Sequence, residues 1–327
     1  MQTSWQCRLR LCILLFVFAE AAFAARLELP FESWKREVQE PILAPRGDGF
    51  ESAGVFNPAV VKRGRQYVML YRAQDRNGIS RLGYASSRDG IHFTRRSEPV
   101  LVPETDYEKE GGVEDPRVVR IGNLYYLTYT GYNKHDAQLC LATSKDLVRW
   151  TRKGIILPAY KGNWNVGWTK SGAIVPQKIA GKYWMYFLGT SADHTDQVGL
   201  AYSSDLMHWT EATQTPVLPR RLGDFDAQVV EPGPPPIVLP QGILLIYNGA
   251  DDRHVYRVGW ALFDKKDPRR VLARSEQPIL VPEKEWEKVG QVPNVVFVEG
   301  LVRNHNRWRF YYGAADKYIG TAEASAR

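Results

Sequence analysis

Apolar and polar residues alternate in short runs along this chain, and one run is written five times. VMLYRAQD (68–75), YLTYTGYN (126–133), WMYFLGTS (184–191), LLIYNGAD (244–251) and RFYYGAAD (309–316) align on one aromatic position: Tyr71, Tyr129, Phe187, Tyr247 and Tyr312. The spacings between these aromatics are 58, 58, 60 and 65 residues. Before each run, across a glycine or polar turn, lies another apolar strand: FNPAVVKRG, EDPRVVRIG, KSGAIVPQKIAG, EPGPPPIVLPQG and NVVFVEGLV. After it comes a third, as in LGYASS, LCLATS, VGLAYS, YRVGWAL and YIGTAE. The first three copies close on a Ser-x-Asp turn and an aromatic residue, in SRDGIHF, SKDLVRW and SSDLMHW, which reads as architecture and takes His92 and His208 with it. Period-two alternation with frequent turns predicts strands and no helix of useful length. Repeats of about sixty residues with three or four strands each predict an all-β protein, a five-bladed β-propeller. Blades share one axis, so residues 25–327 are expected to form a single domain.

The amino terminus departs from this pattern. Arg8 and Arg10, the apolar run LCILLFVFA and Ala22-Phe23-Ala24 predict a signal peptide over residues 1–24, cleaved near Ala24. The run is too short to span a bilayer. A secreted or periplasmic protein with no membrane segment in its mature form is expected. Cys7 and Cys12 would leave with the signal, and Cys140 in LCLAT reads as a small buried side chain. The formal charge of +7 is spread thinly, with no block of Lys or Arg, which argues against a nucleic-acid partner. Ten Trp, seventeen Tyr and twelve Phe favour a β-rich fold able to stack on ring-shaped ligands.

The polar residues that open the first strand of each repeat differ while the apolar ones persist. They are Asn57, Glu114-Asp115, Lys170-Ser171, Glu231 and Asn294, and the ends of the second strands add Arg72, Asp75, Asn248, Asp251 and Asp316. On a shared axis these converge at one end. In GVEDPR (112–117) strand alternation sets Asp115 and Arg117 on one face and Glu114 on the other. Two carboxylates from different blades facing across a pocket are the equipment for glycoside hydrolysis. The six His show no ligand spacing, so neither a metal nor a cofactor is expected, though an all-oxygen calcium site stays open.

At these residues the chain resembles glycoside hydrolase family 130, the β-mannoside phosphorylases and β-mannosidases. GVFNPAVV, YRAQD, GGVEDPRVV, KSGAIVPQKIAGKYWMYF, EPGPPPI, GILLIYNGAD, VPNVVF and YYGAAD carry the resemblance in order over nearly the whole mature chain. The resemblance implies a five-bladed propeller and a β-mannoside oligosaccharide or glycan as substrate. It implies Asp115 as general acid, in some members acting through a mannose hydroxyl, and Asn57, Arg72 and Asp316 as holders of the terminal mannose. Arg117 and Lys170 match basic residues near the centre, and Asn248 and Asp251 are further candidates for the sugar. Phosphorylases of the family place a lysine after PPI and a histidine in the next strand; Val238 and Asn248 stand there in this chain, without positive charge. Glu231 opens that blade as in the hydrolytic members, where a glutamate is the base. The resulting expectation is an inverting exo-β-mannosidase with Asp115 as acid and Glu231 as base, their carboxyl groups roughly 6.5–9.5 Å apart. Glu299 is a second candidate base. The rivals are a phosphorylase yielding mannose 1-phosphate and a sugar-binding propeller without turnover.

Overall fold

The computed structural model describes residues 28–327, so the expected signal peptide and its cleavage site lie outside the described residues. The fold is all-β, built of five antiparallel units. The first comprises β1 (Gly54–Arg63), β2 (Gln66–Gln74), β3 (Ser80–Ser87) and β4 (Thr94–Arg95), and the second β5 (Gly112–Ile121), β6 (Leu124–Tyr132), β7 (Ala137–Ser144) and β8 (Thr151–Leu157). The third holds β9 (Thr169–Ile174), β10 (Tyr183–Thr190), β11 (Asp196–Ser203) and β12 (Thr210–Glu211). The fourth holds β13 (Val229–Pro232), β14 (Ile237–Leu239), β15 (Gly242–Ala250), β16 (Tyr256–Phe263) and β17 (Val271–Arg274). After a single helical turn, α1 (Glu285–Lys288), the fifth has β18 (Val296–Asn304), β19 (Arg307–Ala314) and β20 (Tyr318–Ser325). Phe31, Lys35 and Leu43 bridge to Ala326, Glu323 and Ile319, so the first described segment serves as the outer strand of the last unit.

Among the described residues the strands form, by hydrogen bonding, sheets of eight, nine and three, none closed on itself. Units join end to end through single parallel bridges: Ser80 with Gly112, Asp196 with Val229, and Tyr256 with Val295. The first of these needs its glycine. Gly112 has φ +112°, and a Cβ there would lie 2.1 Å from the Ser80 carbonyl oxygen. Apolar strand faces pack between consecutive units in five clusters. Leu70 and Leu127, Leu139 and Met185, Leu200 and Leu245, and Ile246 and Val298 share clusters across successive boundaries; Met69 and Tyr311 belong to a cluster joining the first unit to the fifth.

Four of the five repeated aromatics anchor the outer parts of their units. The hydroxyls of Tyr71, Tyr129, Tyr247 and Tyr312 donate to the buried carboxylates of Glu51, Glu108, Asp226 and Glu287. Each carboxylate also takes an arginine: Arg95 at 3.1 Å, Arg152 at 3.0 Å, Arg274 at 2.6 Å and Arg36 at 2.6 Å. Burial raises the Glu108 pKa, but Arg152, the Glu104 N–H and the Tyr129 hydroxyl outweigh it and hold the group below its usual range. Its contribution to stability is therefore present above the ordinary glutamate range and lost as the pH falls from that range through the group's own lower value. Tyr129→Phe is expected to destabilise the fold by about 1.5–3 kcal/mol, the worth of a hydrogen bond to a charged group, read from urea unfolding. An unchanged midpoint would remove the hydroxyl from this account.

The Ser-x-Asp turns are architecture, as the sequence suggests. Ser87, Ser144 and Ser203 hydroxyls accept turn N–H groups, and Asp89, Asp146 and Asp205 collect the next two. His92 and His208 are exposed and bonded to the turn aspartates. Cys140 is buried, its thiol pushed up to about 12 by that burial.

Candidate active site

The first strands of the units do not alternate cleanly. In β1 the register shifts between Phe56 and Pro58, in β5 between Glu114 and Arg117, and in β9 against the Tyr186–Leu188 stretch. At these bulges Asn57, Asp115 and Ser171 have φ of 49°, 50° and 59°. A non-glycine residue in the left-handed region is strained, and such strain gathers at functional sites. Here it places three polar side chains, all buried, at the starts of the first strands of three units.

The bulge corrects the expectation that Glu114 and Asp115 face opposite ways. Both reach one guanidinium: Arg72 Nη2 lies 2.5 Å from Glu114 Oε1, and Arg72 Nη1 lies 3.3 Å from Asp115 Oδ1. Asn57 Nδ2 donates to Asp115 Oδ1 at 2.7 Å, and Ser80 Oγ donates to Glu114 Oε1 at 3.0 Å. Arg72 itself lies over the Phe56 ring, 4.7 Å from its centroid.

Arg117 connects this cluster to the opposite side. Only 1% exposed, it donates to the carbonyls of Gly233 at 2.9 Å, Pro232 at 2.6 Å and Asp115 at 3.2 Å. Its Nη2 is 3.9 Å from Glu231 Oε1 and its Nη1 is 3.1 Å from Glu299 Oε1. Lys170 Nζ stands 3.4 Å from Glu231 Oε1, which also accepts the Ser171 hydroxyl. Asp115 and Glu231 thus come from separate units to one site.

Electrostatics distinguish the acids. Burial raises the Asp115 pKa, yet Arg72, Lys170, the Asn57 hydrogen bond and Arg117 outweigh it and hold the group below its usual range. Burial and the Asp115 charge push Glu114 up to about 7 against the pull of Arg72. Burial also pushes Asp316 up to about 6, opposed by Arg72 and Lys170 and aided by Asp115 and Glu231. Glu299 is raised well above its usual range by burial, with Arg117 as the main opposing charge. Among the described residues neither of its oxygens receives a hydrogen bond, although Arg117 Nη1 lies 3.1 Å from Oε1.

Of the residues singled out in the sequence, Asn57, Arg72, Asp115, Arg117, Lys170, Glu231 and Asp316 are brought together. Asn248 lies across from Glu231 in the pairing of β13 with β15, and the polar atoms of Asn248 and Asp251 have other partners. Asn248 is fully buried, donating to the Val298 carbonyl at 3.1 Å and accepting the Val298 N–H at 2.8 Å, a brace between the fourth and fifth units. Asp251 caps a turn, accepting the N–H groups of Arg253 and Val255 and pairing with Arg257 at 2.9 Å. Asp75 does the same for Asn77, Ile79 and Arg81. Sequence reasoning missed the residues that open the third strands. Ser80 bonds Arg72 and Glu114, and Tyr256 is raised by burial and by the charges of Glu231, Asp196 and Asp316. Their alignment at the heads of SRLGYASS, DQVGLAYS and YRVGWALF was the available signal.

A family model described as beta-1,4-mannooligosaccharide phosphorylase, that of glycoside hydrolase family 130, matches residues 30–327. The 1,2-beta-oligomannan phosphorylase of Thermoanaerobacter sp. (strain X514) is 40% identical over 299 residues, 88% of this chain and 96% of the relative. The Beta-1,2-mannobiose phosphorylase of the same strain is 37% identical over 86% of this chain and 94% of its own. A solved structure described with the words "The GH130 family of mannoside phosphorylases contains glycoside hydrolases that target beta-1,2 mannosidic linkages in Candida mannan" is 36% identical. It superposes with a TM-score of 0.82 over 92% of this chain and 98% of that one. The conjunction of bulged polar strand starts, paired acids and matches over nearly the full described length has one reading: this chain belongs to glycoside hydrolase family 130.

Proposed function

We propose that the protein releases the terminal mannose from β-mannosides, β-1,2-linked ones foremost, and that water accepts the mannosyl group. The observation that carries this reading is the charge of the site. Glu114, Asp115, Glu231, Glu299 and Asp316 surround Arg72, Arg117 and Lys170, and all three cations are already ion-paired to internal carboxylates. A phosphate would have to displace Glu231 from Lys170. Each unit of like charge left about 4 Å away would oppose it by about 4 kcal/mol at an effective dielectric constant of about 20. Water meets no such barrier. In the proposed reaction Asp115 gives its proton to the glycosidic oxygen and the C–O bond breaks. Water attacks C1 from the opposite face and loses its proton to Glu231, releasing mannose with inverted configuration. Asn57, Arg72 and Asp316 hold the sugar.

Phosphorolysis is the second reading. The curated relatives at 40% and 37% identity are phosphorylases by name, and on that ground phosphate is better supported than water. The two separate cleanly when β-1,2-mannobiose is incubated with and without inorganic phosphate and the products are followed by NMR. Free α-mannose at the same rate in both supports hydrolysis. Mannose 1-phosphate formed only with phosphate would replace it with the second reading. The five units are proposed to be propeller blades of one domain around a shared axis, supported by apolar clusters between consecutive units and from the fifth to the first. Export, from the basic and apolar start of the sequence, belongs to the same proposal.

A further inference from the structure

The third unit breaks a rule that the other four keep. On their outermost strands Arg95 pairs with Ala85 and Arg152 with Ala142; in the same register of the third unit Glu211 pairs with Ala201. The sequences HFTR, RWTR and HWTE carry the same exchange. The other members of the triad are also gone. Phe187 replaces the tyrosine, and in the loop before β9 the buried polar residue is Asn165, its amide spent on the Thr169 hydroxyl and the Thr190 N–H. A cavity of about 300 Å³ lies here, lined among others by Lys161, Asn165, Thr169, Phe187, Trp209 and Glu211.

One oxygen of Glu211 accepts the Asn163 N–H, while its Oε1 is buried with no donor. Burial raises its pKa and the Asn163 N–H opposes, and among the described residues no ion pair to Glu211 forms. In the other four units the buried carboxylate of the triad, Glu51, Glu108, Asp226 or Glu287, is matched by a guanidinium. Ile156, Leu157, Phe187 and Trp209 add apolar wall, and the volume is that of about ten waters, enough for a short organic molecule.

We propose that this cavity binds a small organic cation, a guanidinium or ammonium group on a short apolar stem, seated against Glu211, the carboxylate that stands where other units carry their own arginine. The site is separate from the acids around Arg117 and does not depend on which acceptor the enzyme uses.

Calorimetric titration of the full chain with agmatine tests it. Saturable binding is expected, weakened roughly tenfold or more in Glu211→Gln by loss of a charge-assisted hydrogen bond. It should vanish in Glu211→Arg, which brings its own guanidinium, and persist in Glu231→Gln, which alters only the catalytic cluster. Unfolding midpoints report whether each variant folds. Absence of saturable binding to the wild-type protein in the millimolar range, or equal affinity in Glu211→Gln, overturns the proposal. So does binding of an acetyl-Gly-Arg-Gly-amide peptide without binding of agmatine, which would make the cavity a seat for a protein side chain.

Discussion

Asp115→Asn is expected to lower kcat on β-1,2-mannobiose by about 10²–10⁴, the range that a positioned general acid contributes. The amide keeps the shape and still accepts from Asn57 and Arg72, so sugar binding and folding should survive. The diagnostic lies in the leaving group. An aryl β-mannoside whose phenolate departs unaided should lose far less than mannobiose. Equal losses on both substrates would make Asp115 a sugar-holding residue and end its assignment as acid. The pH profile adds a second test. In the structure Arg72, Lys170, Asn57 and Arg117 hold Asp115 below its usual range, which is the wrong direction for a donor at neutral pH. Donation requires the group to gain a proton as the sugar covers it. The alkaline limb of kcat/KM, which reports the free enzyme, should then lie at lower pH than that of kcat, which reports the complex.

Glu231→Gln should be as damaging to hydrolysis and should also change what the site accepts. The variant loses the proposed base, so water attack is expected to fall by about 10²–10⁴. It also loses the carboxylate 3.4 Å from Lys170 Nζ and 3.9 Å from Arg117 Nη2, leaving the two cations less compensated. Added phosphate should therefore restore part of the turnover, with mannose 1-phosphate as product. Full activity in Glu231→Gln without phosphate would shift the base to Glu299, the other buried acid beside Arg117. Loss of activity that phosphate does not relieve would leave the base assignment standing but detach it from the choice of acceptor.

Strand order and repeat spacing were legible because period-two alternation is strong wherever one face of a sheet is buried. The five aromatics from Tyr71 to Tyr312 mark the second strands that the structure contains. What alternation could not yield was the site's geometry. The bulge at Asp115 puts Glu114 and Asp115 on one guanidinium, and a bulge leaves no mark in a pattern that assumes regular pleating. The hydrogen-bond partners of Asn248 and Asp251 escape the pattern for a related reason. Both residues sit at aligned strand ends, but alignment fixes where a residue begins, and its hydrogen-bond partners decide what it does. Glu299, a second candidate base by sequence, has apolar neighbours. Being apolar, they bury it without donating to it, and that isolation raises its affinity for a proton. The third unit's missing triad was visible in HWTE beside HFTR and RWTR, but its meaning required knowing what the arginines hold.

The pairing of Phe31, Lys35 and Leu43 with the final strand also bears on how the molecule reaches its folded state. The two ends must find each other across almost the full length of the described chain, a closure that costs conformational entropy before it returns any contact. Four units can collapse by neighbour-to-neighbour pairing alone; the fifth stays without its outer strand until that encounter. Joining the termini and opening the chain between two other units would turn this distant meeting into an ordinary local hairpin.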